Sequence, residues 1–271
     1  MAKYFAYLVS AIALAQSPTE RPRFEVASIK LHPGIGNLVH IQPLPGGRLV
    51  VENFSLKFLI QTAYGADASQ ILGGPDWIGS DRYDIEAKAE GNASGKLMTG
   101  PMLQTLLEDR FKLGIHRETR QLPIYELTLA KSGVKMPPAK AGACIPFSMD
   151  SPPWPTPAPG EPRPIFCGFR GFGVEGLNRK LEMPGVTMTE LASALSRSEL
   201  RRKIVDKTGL AGEFDVHLIW SLDTPSSADP SAAAGPSIFT AVQEQLGLKL
   251  ESAKGPVEVL VIDHIERPSA N

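Results

Sequence analysis

The chain has 271 residues, 42% apolar and 21% charged, with a formal net charge of −1 and a pI near 6.5. This composition is that of a globular protein with enough chain for one large core or two modest ones, and it excludes disordered and fibrous classes. The near-neutral balance offers no basic face of the kind nucleic-acid binding requires.

The first residues, MAKYFAYLVSAIALAQS, give Lys3, an apolar run from Tyr4 to Leu14, and Ala13-Leu14-Ala15 before Gln16. A charged start, a short apolar stretch and small residues at a cleavage site predict a signal peptide over 1–15. The run is too short to span a bilayer as a mature helix, so the expectation is an exported protein, periplasmic or secreted, with no membrane span after cleavage.

A first α+β unit is predicted over 24–135. It opens with a strand at FEVASIK (Phe24–Lys30) and a second at GRLVVEN. Leu56, Leu59, Ile60, Ala63 and Tyr64 then follow the i, i+3, i+4, i+7, i+8 spacing of an amphipathic helix. Gly73-Gly74-Pro75 forces a turn. Trp77 just beyond it can either close the core or stand exposed beside Arg82 as a partner anchor. Tyr83, Ile85 and Ala87 alternate with polar residues, as in a half-buried strand. A second helix starts at Pro101 and presents Leu103, Leu106 and Leu107. KLGIH and IYELTLA then read as two strands of a hairpin.

Residues 136–172 read as a proline-rich linker carrying Cys144 and Cys167. In an oxidising compartment these two form a disulfide more readily than a metal site, because neither has a CxxC partner or a nearby histidine. The same loop holds Trp154, which could dock elsewhere as an extended segment.

A second α+β unit is predicted over 173–268. Thr187 and Glu190 form a capping box ahead of Met188, Leu191, Ala192 and Leu195. The basic run RSELRRK (Arg197–Lys203) reads as the solvated end of that helix. Phe214, Val216 and Leu218 alternate as a strand, Ile238, Val242 and Leu246 make a helix, and LKLES and VEVLVID make a closing strand pair.

The two units align block by block: FSLKFL on VTMTEL, RYDI on EFDV, and GPMLQTLLEDRFKLGIH from Gly100 without a gap on GPSIFTAVQEQLGLKLE from Gly235. Three blocks in one order predict an internal duplication. The architecture expected is α+β: two small mixed sheets, each with two helices on one face.

His116-Arg117-Glu118-Thr119-Arg120 (HRETR) is the densest polar cluster. Two arginines could hold a carboxylate or phosphate and His116 could move a proton. The second unit has no match for these side chains and goes from Glu251 to Pro256 by a shorter path, so a polar hairpin turn accounts for the cluster too. Asp84 and Asp215 are carboxylates that the repeats share, expected in strand-end or turn hydrogen bonds, and His217 joins Asp215 in a solvent-facing polar row. No GxSxG, HExxH, Walker or GxGxxG motif is present, and no cofactor or metal ligand set is predicted. The ligand-binding candidates are therefore His116, Arg117, Arg120, Trp77 and Arg82.

FEVASIK, PGGRLVVENFSLKFLIQTAYG, ILGGPDWIGSDRYDIEAKA, MLQTLLEDRFKLGIHRETRQLPIYELTLAKSG and VDKTGLAGEFDVHLIW resemble a soil-associated bacterial family, a domain of unknown function. Its members occur as exported stand-alone proteins or fused to BlaR-type membrane metallopeptidases. The resemblance implies an envelope or secreted setting and supplies no catalytic residues. More weakly, VTMTELASALS, TGLAGEFDVHL and FTAVQEQLGLKLE are similar to the short N-terminal domain of secretins and TonB-dependent receptors, which implies protein contacts in the periplasm. The functional expectation is a non-enzymatic binding or adaptor module whose partner is an envelope protein or an extracellular ligand. The alternative is a hydrolase-like enzyme with its site around HRETR.

Overall fold

In the computed structural model the described residues are 21–34, 39–146, 164–168, 171–175, 178–198, 200–221 and 235–268. The predicted signal peptide over 1–15 and Trp154 with most of its loop lie outside them.

The first half runs β1 (Phe24–Leu31), β2 (His40–Leu44), β3 (Arg48–Ser55), α1 (Leu56–Tyr64), β4 (Ile71–Gly73), α2 (Trp77–Ser80), β5 (Arg82–Ala89), the short turn α3 (Gly95–Leu97), α4 (Leu103–Phe111) and β6 (Gly114–Leu129). The second runs β7 (Gly171–Glu175), β8 (Asn178–Val186), α5 (Met188–Ser196), β9 (Ile204–Asp206), β10 (Phe214–Ser221), α6 (Ile238–Leu246) and β11 (Leu248–His264). From β2 onward the order strand, strand, helix, short strand, strand, helix, long strand therefore recurs.

Local chemistry explains the helices. Ser55 caps α1 by accepting from the Phe58 amide, and Leu56, Leu59, Ile60 and Ala63 form its buried stripe. Thr187 and Glu190 cap α5 reciprocally, as the motif predicts. At the second helix of the first half, non-helical Gly100 breaks the chain and Pro101 lies just ahead of α4.

Three sheets result. β1-β5-β3-β2 and β10-β8-β7 each belong to one half. Their inner faces are apolar, with Tyr83, Ile85 and Ala87 buried in one and Val216, Leu218 and Trp220 in the other. The third sheet, β4-β11-β6-β9, draws on both halves. β6 and β11 pair antiparallel along nearly their whole length, from Gly114↔His264 to Leu129↔Leu248. β4 joins β11 in parallel at Leu260–Ile262, and β9 joins β6 in parallel at Tyr125–Leu127.

That sheet corrects two expectations. The closing strands of the halves are not hairpins: KLGIH and IYELTLA belong to one 16-residue strand, and LKLES and VEVLVID to one of 17. Nor does each half keep its own core. Leu260 and Ile262 pack into the first core, while Leu127 and Met136 pack into the second. Each half inserts the far end of its long strand into the other.

The segment read as a linker is partly built into the second half. Pro138 bridges to Phe214, and Asp215 donates its amide to the Pro137 carbonyl. The predicted Cys144–Cys167 disulfide is present. It packs against Gly185, whose backbone has φ +58° and where an added Cβ would lie 2.9 Å from Cys144 Sγ, so this close approach requires glycine.

Candidate functional site

HRETR lies within the first half of β6, not in a turn. His116 is opposite Val261, Arg117 opposite Leu260 and Arg120 opposite Val257. The cluster's charges are matched on the same ribbon. His116 Nδ1 donates to Asp263 at 2.8 Å, both side chains being about half exposed, at 51% and 52%. Arg117 pairs with Glu258 and Arg120 with Glu118. Exposed pairs of this kind contribute about 0–1 kcal/mol each. The guanidinium groups of the cluster are thus engaged by neighbouring carboxylates, and no sequence signal pointed to Glu258 or Asp263 as partners, because they sit far along the chain.

Trp77 and Arg82 are not brought together as an anchor. Trp77 is half-buried against the first core, and the Arg267 guanidinium lies 4.9 Å from its ring centre, held by a 3.0 Å hydrogen bond to Asp81. Arg82 donates to the Asn53 carbonyl at 3.4 Å. The contact there is a bulge of β3 against β5, between Val51 and Phe54. Asn53, at φ 59°, donates its amide to Asp84 Oδ1 at 2.9 Å. The second half repeats the device: Gly185 donates to Asp215 Oδ1 at 3.0 Å. The shared aspartates thus tie down left-handed backbone, the structural role expected of them.

A deeper concavity lies at the edge of β10, with a volume of about 490 Å³. In the first half β1 covers the matching edge of β5 from Leu31↔Tyr83 to Phe24↔Ala89. In the second half, among the described residues, the covering is interrupted. Ala139 donates to Glu213 O, and Asp215 donates to Pro137 O. There the ladder stops, because Pro137 has no N–H to continue it. Further along, the Gln245 side chain bonds both the amide and the carbonyl of Ile219. Asp215 and Ile219 both direct backbone groups to this edge, and His217 between them shares that direction. Its backbone faces the gap lined by Lys135, Pro137, Gln245 and Leu246. The His217 side chain is on the solvent side, 3.4 Å from Glu182. Lys180, hydrogen-bonded to Glu182, holds that carboxyl below its ordinary range, with His217 adding to the effect. The polar row read from the sequence is present, but the backbone gap beside it carried no sequence signal beyond Pro137.

The basic run Arg197–Lys203 is more than a solvated helix end. Arg197 reaches Asp67 of the first half at 3.0 Å, and Lys203 lies 3.9 Å from the same carboxylate. Asp67 is 4% exposed, whereas the Arg197 and Lys203 side chains are 36% and 37% exposed, so this is a half-buried clamp between the halves.

Among the described residues no group of three or more His, Cys, Asp or Glu side chains could hold a metal ion, and no helix is long and apolar enough to cross a membrane. The family model described as protein of unknown function (DUF3738) matches residues 57–265. The chain belongs to that family. No curated protein matches the chain, and no solved structure does.

Proposed function

We propose that this protein is an exported binding module of the bacterial cell envelope, made of two copies of one α+β unit, that captures an extended polypeptide segment by strand addition. The duplication is supported by the recurring element order, by the bulge–aspartate device at Asn53/Asp84 and Gly185/Asp215, and by register. The offset of the Gly100-on-Gly235 block, continued along β6 and β11 in place of the shorter path read from the prolines, carries Tyr125–Leu127 onto Leu260–Ile262, the two patches joined by β9 and β4. Export is supported by the signal-like first 15 residues and by a disulfide, a bond that persists in oxidising compartments. The likeness to periplasmic contact domains of secretins and TonB-dependent receptors points the same way.

The observation that carries the binding reading is the interrupted edge of β10. The first half gives the occupant its shape: Ser28 of β1 lies opposite Glu86, and Glu86 aligns with His217. An incoming segment would take Ser28's place, exchanging backbone hydrogen bonds with His217. VEVLVID is central where β4 and β6 flank it, so the gap at His217 is the better docking place. The two backbone hydrogen bonds that His217 can exchange contribute about 1 kcal/mol each, so backbone pairing alone gives weak binding, and side-chain contacts with the groove wall supply the rest of any millimolar affinity.

The test is an amide-resolved NMR titration of the full chain with extended peptides, β1's own sequence FEVASIKL among them. A binding peptide should shift the His217 amide and slow its exchange with solvent. If peptides bind but perturb only residues distant from β10, or if none binds at millimolar concentration, strand addition here is wrong.

A further inference from the structure

We infer a second site, for a small amphiphilic anion, in the cleft where the two halves meet on the central sheet. The cleft is about 230 Å³, below the roughly 300–1,000 Å³ of pockets for drug-sized ligands, so its ligand is small. Leu72 of β4, Leu122 of β6 and Val257 of β11 give it an apolar floor, and Arg201, Arg202 and Lys203 line it from the second half. The same offset, continued along β6 and β11, places Leu122 on Val257. The floor is therefore built from matching positions of both halves, and the cleft needs the two halves joined.

Three observations fix the chemistry of the ligand. First, among the described residues every charged one lining the cleft is cationic. Asp67 is the nearby acid, and it is engaged by Arg197 at 3.0 Å and Lys203 at 3.9 Å. Second, neither Arg201 nor Arg202 is in an ion pair with a described carboxylate. Arg202 lies 5.2 Å from the Tyr125 ring centre, with its Nη1 3.4 Å from the hydroxyl, while Arg201 is exposed on left-handed backbone at φ 44°. Third, the rest of the lining is aliphatic apart from Ser69, whose Oγ is closed off from the cleft. Guanidinium donors at the rim and an aliphatic floor together match an oxyanion, carboxylate or phosphate, on a short apolar tail. This site is separate from the β10 groove and does not depend on the strand-addition reading.

The experiment is a calorimetric and NMR titration of the full chain with hexanoate, hexyl phosphate and hexan-1-ol. Saturable one-to-one binding of at least one anion is expected, about tenfold or more tighter than the alcohol, and weakening as salt is added. Tighter hexanoate assigns a carboxylate ligand and tighter hexyl phosphate assigns a phosphate. Arg201→Ala with Arg202→Gln should weaken the anion about tenfold at unchanged thermal midpoint. Equal binding of alcohol and anions, no saturation by about 20 mM, or anion binding untouched by the arginine changes would overturn the assignment. If the arginine variant loses its cooperative thermal transition, Arg201→Lys with Arg202→Lys keeps the charge and removes the planar fork; retained fold with weakened binding supports the site, and unchanged binding refutes it.

Discussion

Asp84 and His116 differ in what their side chains accomplish, although both are polar residues on strands. Asp84 accepts the amide of a left-handed Asn53, and its loss leaves that donor without its partner at a bulge. His116 makes a half-exposed pair with Asp263. Asp84→Ala, and Asp215→Ala in the second half, should each destabilise the protein by about 1–3 kcal/mol, whereas His116→Ala should change stability by less than about 0.5 kcal/mol. Urea unfolding of the three variants checks the order, and a larger loss at His116 would contradict it. The pairing of the aspartates was legible because both halves repeat them. The salt partners of HRETR were not, because Glu258 and Asp263 are distant in sequence and cross-strand register is set by the whole sheet. Tyr64 gives a pH prediction. Burial, then Glu108, push its hydroxyl up to about 12, above its ordinary value near 10. A pKa higher in the folded than in the unfolded chain means that the contribution is complete below about 10 and is lost as pH rises toward 12. Tyr64→Phe should therefore flatten the fall in stability over that alkaline range, and an unchanged slope would count against the assignment.

Among the elements, β6 shows why a strand was read as a turn. From His116 to Gln121 none of its residues is buried. The buried side chains of that stretch of ribbon, Val257, Val259 and Leu260, belong to β11. A strand whose partner supplies the apolar contacts has no period-2 signal of its own. Pro123 and Pro256 added apparent turn punctuation, yet each sits opposite a residue of the partner strand, Lys254 and Gln121 respectively. Proline is tolerated there because its missing N–H would face the ribbon's outer edge, as the Tyr125 amide does when it donates to Lys203. The helices were legible because their stripes and caps are local. The disulfide's seat on Gly185 was not, since a close approach between distant segments leaves no local pattern. Gly185→Ala should cost at least about 1 kcal/mol from positive φ and crowding. In a Cys144→Ser, Cys167→Ser background the crowding is relieved and the added cost should shrink. Equal costs in both backgrounds would show that the sulfur contact does not matter.

For the whole molecule, the consequence of exchanged strand ends is that neither half holds a complete core. The first core contains Leu260 and Ile262 from the second half, and the second contains Leu127 from the first. The half-buried Asp67–Arg197 pair adds a polar tie across the same seam. The cleft proposed for an anion and the edge groove proposed for a peptide are both surfaces that this one joined body displays. The most direct test is equilibrium unfolding of the full chain, followed in parallel by tryptophan fluorescence and by far-UV circular dichroism. Trp77 reports the first half and Trp220 the second, in variants that each retain one of them. Coincident curves with a single midpoint are the predicted result. Two separated midpoints, with one half keeping its structure after the other has melted, would contradict the account.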